Sequence, residues 1–120
     1  MLYSLSHPNV LKFLNWYETS KHIWLILEFC VGGDLLHMLR ADHSMPEYSC
    51  QLFAADLCNG LQYVHSRGYV YADLKPSNVL VNEYGTLMLC DFGLARKVQR
   101  DDDPHAQQEE NSKRGSPYCQ

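Results

Sequence analysis

Residues 71–80 read YADLKPSNVL, and this stretch sets Asp73, Lys75 and Asn78 at fixed spacing. Residues 79–90 separate it from a second short pattern, Asp91–Phe92–Gly93. Between them NVLVN and TLMLC flank the turn EYG, which reads as a short hairpin. A carboxylate at the start of a tight loop can accept a hydroxyl proton, and a lysine two residues on can reach a terminal phosphate. An asparagine carbonyl and a second carboxylate, each bordering a strand, can hold a divalent cation between them. Phosphoryl transfer needs mainly such positioning and charge neutralisation. Alone, Asp73 reads as a turn residue and Asp91 as a helix cap; their joint occurrence, in order and with the hairpin between, is the informative signal.

Outward from this centre the chain alternates strand and helix patterns. MPEYSCQLFAADLCNGLQYVHSRG, residues 45–68, is the clearest helix. Cys50, Phe53, Ala54, Leu57, Leu61 and Val64 recur at helical spacing and predict one buried stripe. Pro46 suits the first turn, Ser44 a cap, Arg67 the negative end and Gly68 a left-handed stop. A tight polar loop is expected next. Upstream, VLKFLNWYET and KHIWLILEFC predict an antiparallel strand pair, with Trp16 and Trp24 packing the sheet. VGGD ends the second strand, and Asp34 can cap a short helix, LLHMLR. Leu2 and Leu5 before Pro8 suggest the last turn of a helix. Residues 96–114 are almost without apolar side chains and are expected to be mobile. No internal repeat is visible.

The 120 residues are 46% hydrophobic and 20% charged, the balance of one small globular domain. A formal charge of −4 offers no general basic surface for nucleic acid or an anionic membrane. DDDP at 101–104 and Glu109–Glu110 read as a solvated acidic segment. The five cysteines, Cys30, Cys50, Cys58, Cys90 and Cys119, are odd in number and form no C-x-x-C pair. That argues against a disulfide framework or a zinc site. Four lie in apolar runs, as buried free thiols do, which points to a reducing, cytoplasmic compartment. The six histidines are scattered, none at metal-ligand spacing. The first ten residues lack the basic start and apolar core of a signal peptide. No apolar run approaches the roughly 18 residues that span a bilayer.

DLKPSN followed by DFG resembles the catalytic loop and metal-binding motif of eukaryotic-type serine/threonine protein kinases. The lysine of DLKPxN resembles that class and not tyrosine kinases. Bacterial aminoglycoside phosphotransferases share the Asp and Asn logic but not the Lys-Pro pair or DFGLA. LILEFCVGGDL, residues 25–35, resembles a kinase hinge, and KRGSPY the end of an activation segment. HPNVLKF, NWYETS and CVGGDL, taken with Y-x-DLKPSN, resemble the Unc-51-like and fused group. Within it the plant runkel type and the Unc-51-like-4 type are the nearest in pattern, and several of these look like pseudokinases.

The resemblance implies an α+β, protein-kinase-like fold, present in part. Residues 1–30 would be an N-lobe remnant with the hinge strand, 31–95 the hinge to the DFG region, and 96–120 a mobile, truncated activation segment. Asp73 would orient a substrate hydroxyl and accept its proton, and Lys75 would stabilise the γ-phosphate. Asn78 and Asp91 would hold Mg²⁺. ATP would meet Leu27 as gatekeeper, backbone groups of Glu28 and Cys30, Leu80 under the adenine and Asp34 at the ribose, with Gly32 and Gly33 loosening the connection. The implied partners are a protein substrate or a scaffold partner and ATP, with no nucleic acid and no membrane. The implied function is ATP-dependent phosphoryl transfer to protein Ser/Thr in a full-length context. The alternatives are a pseudokinase scaffold or a non-functional truncated product. The family's glycine-rich loop and strand lysine would precede Met1, so the 120 residues alone are expected to be inactive.

Two positions depart from the family. Tyr71 stands where histidine is usual, and its ring is expected to fill the same place under Phe92. Ala72 replaces an arginine that pairs with a phosphorylated activation-loop residue in many kinases, so phosphorylation between Leu94 and Ser116 should not switch activity through this position.

Overall fold

The computed structural model describes residues 4–42 and 44–98. In chain order its elements are β1 (Phe13–Glu18), β2 (Ile23–Leu27), α1 (Leu35–Ala41), α2 (Glu47–Ser66), β3 (Tyr69–Val70), a 3-10 turn (Pro76–Asn78), β4 (Val79–Val81), β5 (Leu87–Leu89) and β6 (Arg96–Lys97). The strands pair antiparallel as β1–β2, β3–β6 and β4–β5.

The β4–β5 hairpin is the hub. Asn82 closes its turn: the side-chain oxygen accepts the Tyr84 and Thr86 N–H groups, and Gly85 takes φ +77°. Two extended segments flank the hairpin. Leu11 N–H donates to Leu89 O, and Leu89 N–H to Asn9 O, both at 2.9 Å. On the other side Gly32 N–H donates to Val81 O, and Val81 N–H to Gly33 O, both at 2.9 Å. Backbone polar groups of two short strands are thereby satisfied from both edges. Val79, Val81, Leu87 and Leu89 point into the main core with Leu5, Val10, Leu35, Val64, Tyr71 and Phe92.

α2 lies against this core through Phe53, Leu57, Gly60, Leu61 and Val64. Gly60 is required here: a Cβ would sit 2.8 Å from the carbonyl of Asn9. Tyr63 holds the N-terminal segment, accepting the Ser6 N–H at 2.8 Å and stacking on His7 at 4.7 Å. Gly68 ends the helix at φ +81°, the left-handed stop that the sequence predicts.

Several expectations are corrected. Cys50 and Ala54 are exposed, whereas Phe53, Leu57, Leu61 and Val64 of the same stripe meet the core. Cys58 is exposed too; Cys30 is buried and Cys90 half-buried, and Cys119 lies outside the described residues. Pro46 is the cap of α2 and not a first-turn residue, and no side chain, Ser44 included, caps it. Trp16 and Trp24 are 42% and 58% exposed, since β1–β2 is a two-stranded sheet with no third layer over it among the described residues. The loop expected after Gly68 begins with β3, which pairs with Arg96 and Lys97. Val98 N–H continues that pairing to Gly68 O at 2.8 Å, so the segment expected to be mobile is anchored at its start. The remainder of that segment, from 99 on, and Leu2 of the expected N-terminal helix turn lie outside the described residues, while Leu5 of that turn is buried in the core.

Candidate active site

The loop between β3 and the 3-10 turn brings three side chains together. Asp73 Oδ2 receives the Lys75 ammonium at 3.0 Å and the Asn78 Nδ2 at 2.8 Å. Asn78 Nδ2 also donates to Asp73 O at 3.0 Å. Pro76 starts the 3-10 turn and returns the chain sharply, which lets residues five apart meet. The Lys75 bond, then that of Asn78, hold the Asp73 carboxyl below its ordinary range. Asp73 therefore stays ionised, and Lys75 keeps its head half in solvent.

The second carboxylate is placed by the hairpin. Cys90 N–H donates to Asn78 O at 3.0 Å, the last rung between the strands, and Asp91 follows directly. Asp91 has φ +54°, which aspartate tolerates because its side chain can bond locally. Here its Oδ1 accepts the Gly93 N–H at 3.1 Å. With the amide hydrogens of Asn78 committed to Asp73, its oxygen is the group left for a ligand. An amide oxygen and a carboxylate at adjacent strand ends form a hard donor set that fits Mg²⁺. Among the described residues, no three His, Cys, Asp or Glu side chains converge as metal ligands.

Tyr71 holds this strand end in place. Its ring is 1% exposed and meets Phe92 edge-on at 5.1 Å, as the sequence predicts. Its hydroxyl donates to the carbonyl of Cys90, just before Asp91, and lies 3.4 Å from Asn78 O. Burial first, and then the negative charges around it, push the phenol above its ordinary range. Burial and Asp91 push the Cys90 thiol up to about 11. Ala72, beside Tyr71, sits at φ +67°.

The residues expected at the hinge are spread along one edge. Leu27 ends β2 and pairs with Phe13. Glu28 N–H is committed to Lys12 O at 3.0 Å, so Glu28 has its carbonyl to offer. Cys30 is buried and packs with Leu11 and Met88, and Leu80 lies against them. Among the described residues no group accepts the Cys30 N–H, which leaves a donor beside Leu80. Asp34 bridges to Leu80 and caps α1 by accepting the His37 N–H at 2.7 Å. The glycine expectation is corrected in part: Gly32 is a close-approach residue, since a Cβ there would lie 2.7 Å from Val81 O. It fastens the segment after β2 to β4 instead of loosening it.

Asp56 is a residue that sequence reasoning missed. Its Oδ2 accepts the Leu87 N–H at 2.9 Å and fixes the start of β5, the strand that ends at Leu89, two residues before Asp91. The available signal was an acid three residues after Phe53 and four before Gly60, on the edge of the buried stripe.

The protein kinase domain model matches residues 1–118. The chain is 54% identical over 118 residues to the serine/threonine-protein kinase RUNKEL of Arabidopsis thaliana, covering 98% of the chain and 8% of that protein. It is 38% identical over 96 residues to mouse serine/threonine-protein kinase ULK4, covering 80% of the chain and 7% of that protein. It is 43% identical over 104 residues to human serine/threonine-protein kinase DCLK3, covering 83% of the chain and 16% of that protein. The chain thus spans a small part of the length of each of these relatives. With the DLKPSN loop, the hairpin and the Asp91 strand end assembled in this order, the chain belongs to the protein kinase family, among its eukaryotic-type serine/threonine members.

Proposed function

We propose that this chain carries the catalytic loop and nucleotide floor of a kinase domain that, in its full-length context, transfers the γ-phosphoryl group of ATP to a serine or threonine hydroxyl of a protein. The observation that carries this reading is the cluster at Asp73. Oδ2 is occupied by Lys75 and Asn78, while Oδ1 accepts from no group among the described residues. Oδ1 is thus available to receive a hydroxyl hydrogen bond and, as the new P–O bond forms, its proton. A carboxylate held below its ordinary range is a weak base, which suits a loose transition state that asks for orientation more than for basicity. Lys75, solvent-facing on one side, can turn from Asp73 toward the γ-phosphate oxygens. Asn78 and Asp91 would hold Mg²⁺, which when bound supplies charge neutralisation at the phosphates. The Glu28 carbonyl and Cys30 N–H would meet the adenine edge, Leu80 its face, and Leu27 the gatekeeper place. Asp34 has one carboxylate oxygen beyond its cap bond for the ribose.

In this reading residues 1–30 belong to the N-lobe side of the hinge and 31–95 to the C-lobe side. The site is cytoplasmic and acts on protein. The 120 residues contain no glycine-rich phosphate loop, so the isolated chain is inactive. The test uses the full-length protein. Asp73→Asn should keep Mg²⁺-dependent ATP binding and lower phosphoryl transfer to a protein acceptor by roughly 10²–10⁴-fold. Unchanged transfer in that variant removes Asp73 from the chemistry. A wild-type protein that binds ATP and transfers nothing is a scaffold.

A further inference from the structure

The β4–β5 hairpin has a second face. Leu80, Met88 and Cys90 lie on it, opposite the side that enters the main core, and Leu11 and Cys30 pack against them. Three of these five side chains carry sulfur. The buried Cys30 thiol donates to Met88 Sδ at 3.7 Å. Cys90 stands two residues beyond Met88, on the same face because strand side chains alternate. The proposed phosphoryl transfer uses the backbone of Cys30 and the apolar surface of Leu80; it makes no use of the sulfurs.

We propose that Cys30, Met88 and Cys90 form a site for one monovalent soft metal ion of the Cu(I) type. Thiolate and thioether ligands select such ions over hard cations. Metal–sulfur bonds of about 2.3 Å set two ligands of a tetrahedral or trigonal centre about 3.8–4.0 Å apart. Cys30 Sγ and Met88 Sδ already stand 3.7 Å apart. Leu11 and Leu80 form an apolar shell that limits water around them. On binding, each thiol releases its proton to solvent, three metal–sulfur bonds form, and no electron is transferred. The oxygen pair of Asn78 and Asp91 is hard and does not compete for this ion. Cys50 and Cys58 are exposed on α2, outside the cluster. If the nucleotide base lies on this same face, which rests on the function proposed above, ion and ATP exclude one another.

The experiment titrates Cu(I) anaerobically into the 120-residue chain carrying Cys50→Ser, Cys58→Ser and Cys119→Ser, against the chelator bathocuproine disulfonate. One equivalent should be retained, with X-ray absorption showing three sulfur neighbours. Cys30→Ser or Cys90→Ser removes a direct ligand and should weaken binding by at least the roughly 10- to 100-fold typical of an outer-shell partner. Met88→Leu, close in volume, should keep the fold and reduce the sulfur count to two. If a cysteine variant fails to fold, Met88→Leu and the absorption spectrum of the parent decide. Loss of all metal to the chelator, nitrogen or oxygen coordination, or an unchanged sulfur count in Met88→Leu overturns the site. A second arm asks whether Cu(I) displaces a fluorescent adenine nucleotide from the full-length protein. Sulfur coordination without displacement leaves the metal site standing and overturns the placement of the base.

Discussion

Replacing Tyr71 by phenylalanine isolates one hydroxyl in the middle of the site. The ring packing on Phe92 at 5.1 Å is retained, and the bond to the Cys90 carbonyl is lost. A net hydrogen bond contributes about 1 kcal/mol, and a buried acceptor left without a donor raises the loss to about 1–3 kcal/mol. The contact is only part-buried, which places the expected loss near 1.5 kcal/mol. Urea denaturation of the chain should show this as a lower midpoint at unchanged slope. Tyr71→Ala should cost about 3–5 kcal/mol, because the ring volume is lost as well. The pH dependence supplies an independent check. In the folded chain the phenol is held above its ordinary value of 10.0, whereas the unfolded chain ionises there. Above that pH the folded state binds more protons than the unfolded state, so stability present at lower pH is lost as pH rises. Tyr71→Phe abolishes this share of the alkaline loss. Cys90, raised from 9.0 to about 11, contributes a loss of the same sign that persists in both proteins. Equal urea midpoints together with parallel alkaline curves would refute the reasoning.

Gly32→Ala places a Cβ 2.7 Å from Val81 O, a backbone atom that cannot swing aside, and should destabilise by about 1–3 kcal/mol. Gly33→Ala meets nothing within 4 Å but must adopt φ +70°, at a cost of about 1 kcal/mol; indistinguishable urea midpoints for the two would show that the close approach is absent. Asp56→Ala strips the acceptor from Leu87 N–H and should cost about 1–3 kcal/mol, with faster amide exchange at Leu87, whereas Asp56→Asn keeps an acceptor oxygen and costs less. An asparagine variant as damaged as the alanine one would mean that charge, not the hydrogen bond, is what Asp56 supplies. Lys75→Met should let the Asp73 carboxyl titrate back up toward its ordinary 3.8, measured by carbon NMR; an unmoved titration would place the cause elsewhere. The folded-state value is the depressed one, so the stabilisation belongs to higher pH and is lost as pH falls through it.

What was legible in the chain is what acts over a few residues. The Asp34 cap, the Gly68 stop, the β1–β2 pairing and the hairpin turn follow from cap and turn chemistry and from periodicity, and all are present. The meeting of Asp73, Lys75 and Asn78 is of the same kind, because the 3-10 turn folds five residues onto themselves. The misreadings concern which face another segment covers. Cys50 and Ala54 fit the helical stripe by spacing, yet both are exposed while their stripe neighbours Phe53 and Leu57 meet the core. Trp16 and Trp24 have strand-forming side chains, yet burial needs a facing layer.

By itself, then, the sequence determined the family and most of the local elements, though not the β3–β6 pair, since family motifs, caps and turns are written in local spacing. The tertiary structure alone decided how the site is held. Asp56 reaches Leu87 across 31 positions, Tyr63 reaches Ser6 across 57, and Asn9 reaches Leu87 across 78. It also set Cys30 against Met88 across 58 positions. No propensity or period encodes such partners: each contact exists only because the closed backbone brings two distant groups within bonding range, and at the buried Asn9–Leu87 bond leaving them unpaired is costly.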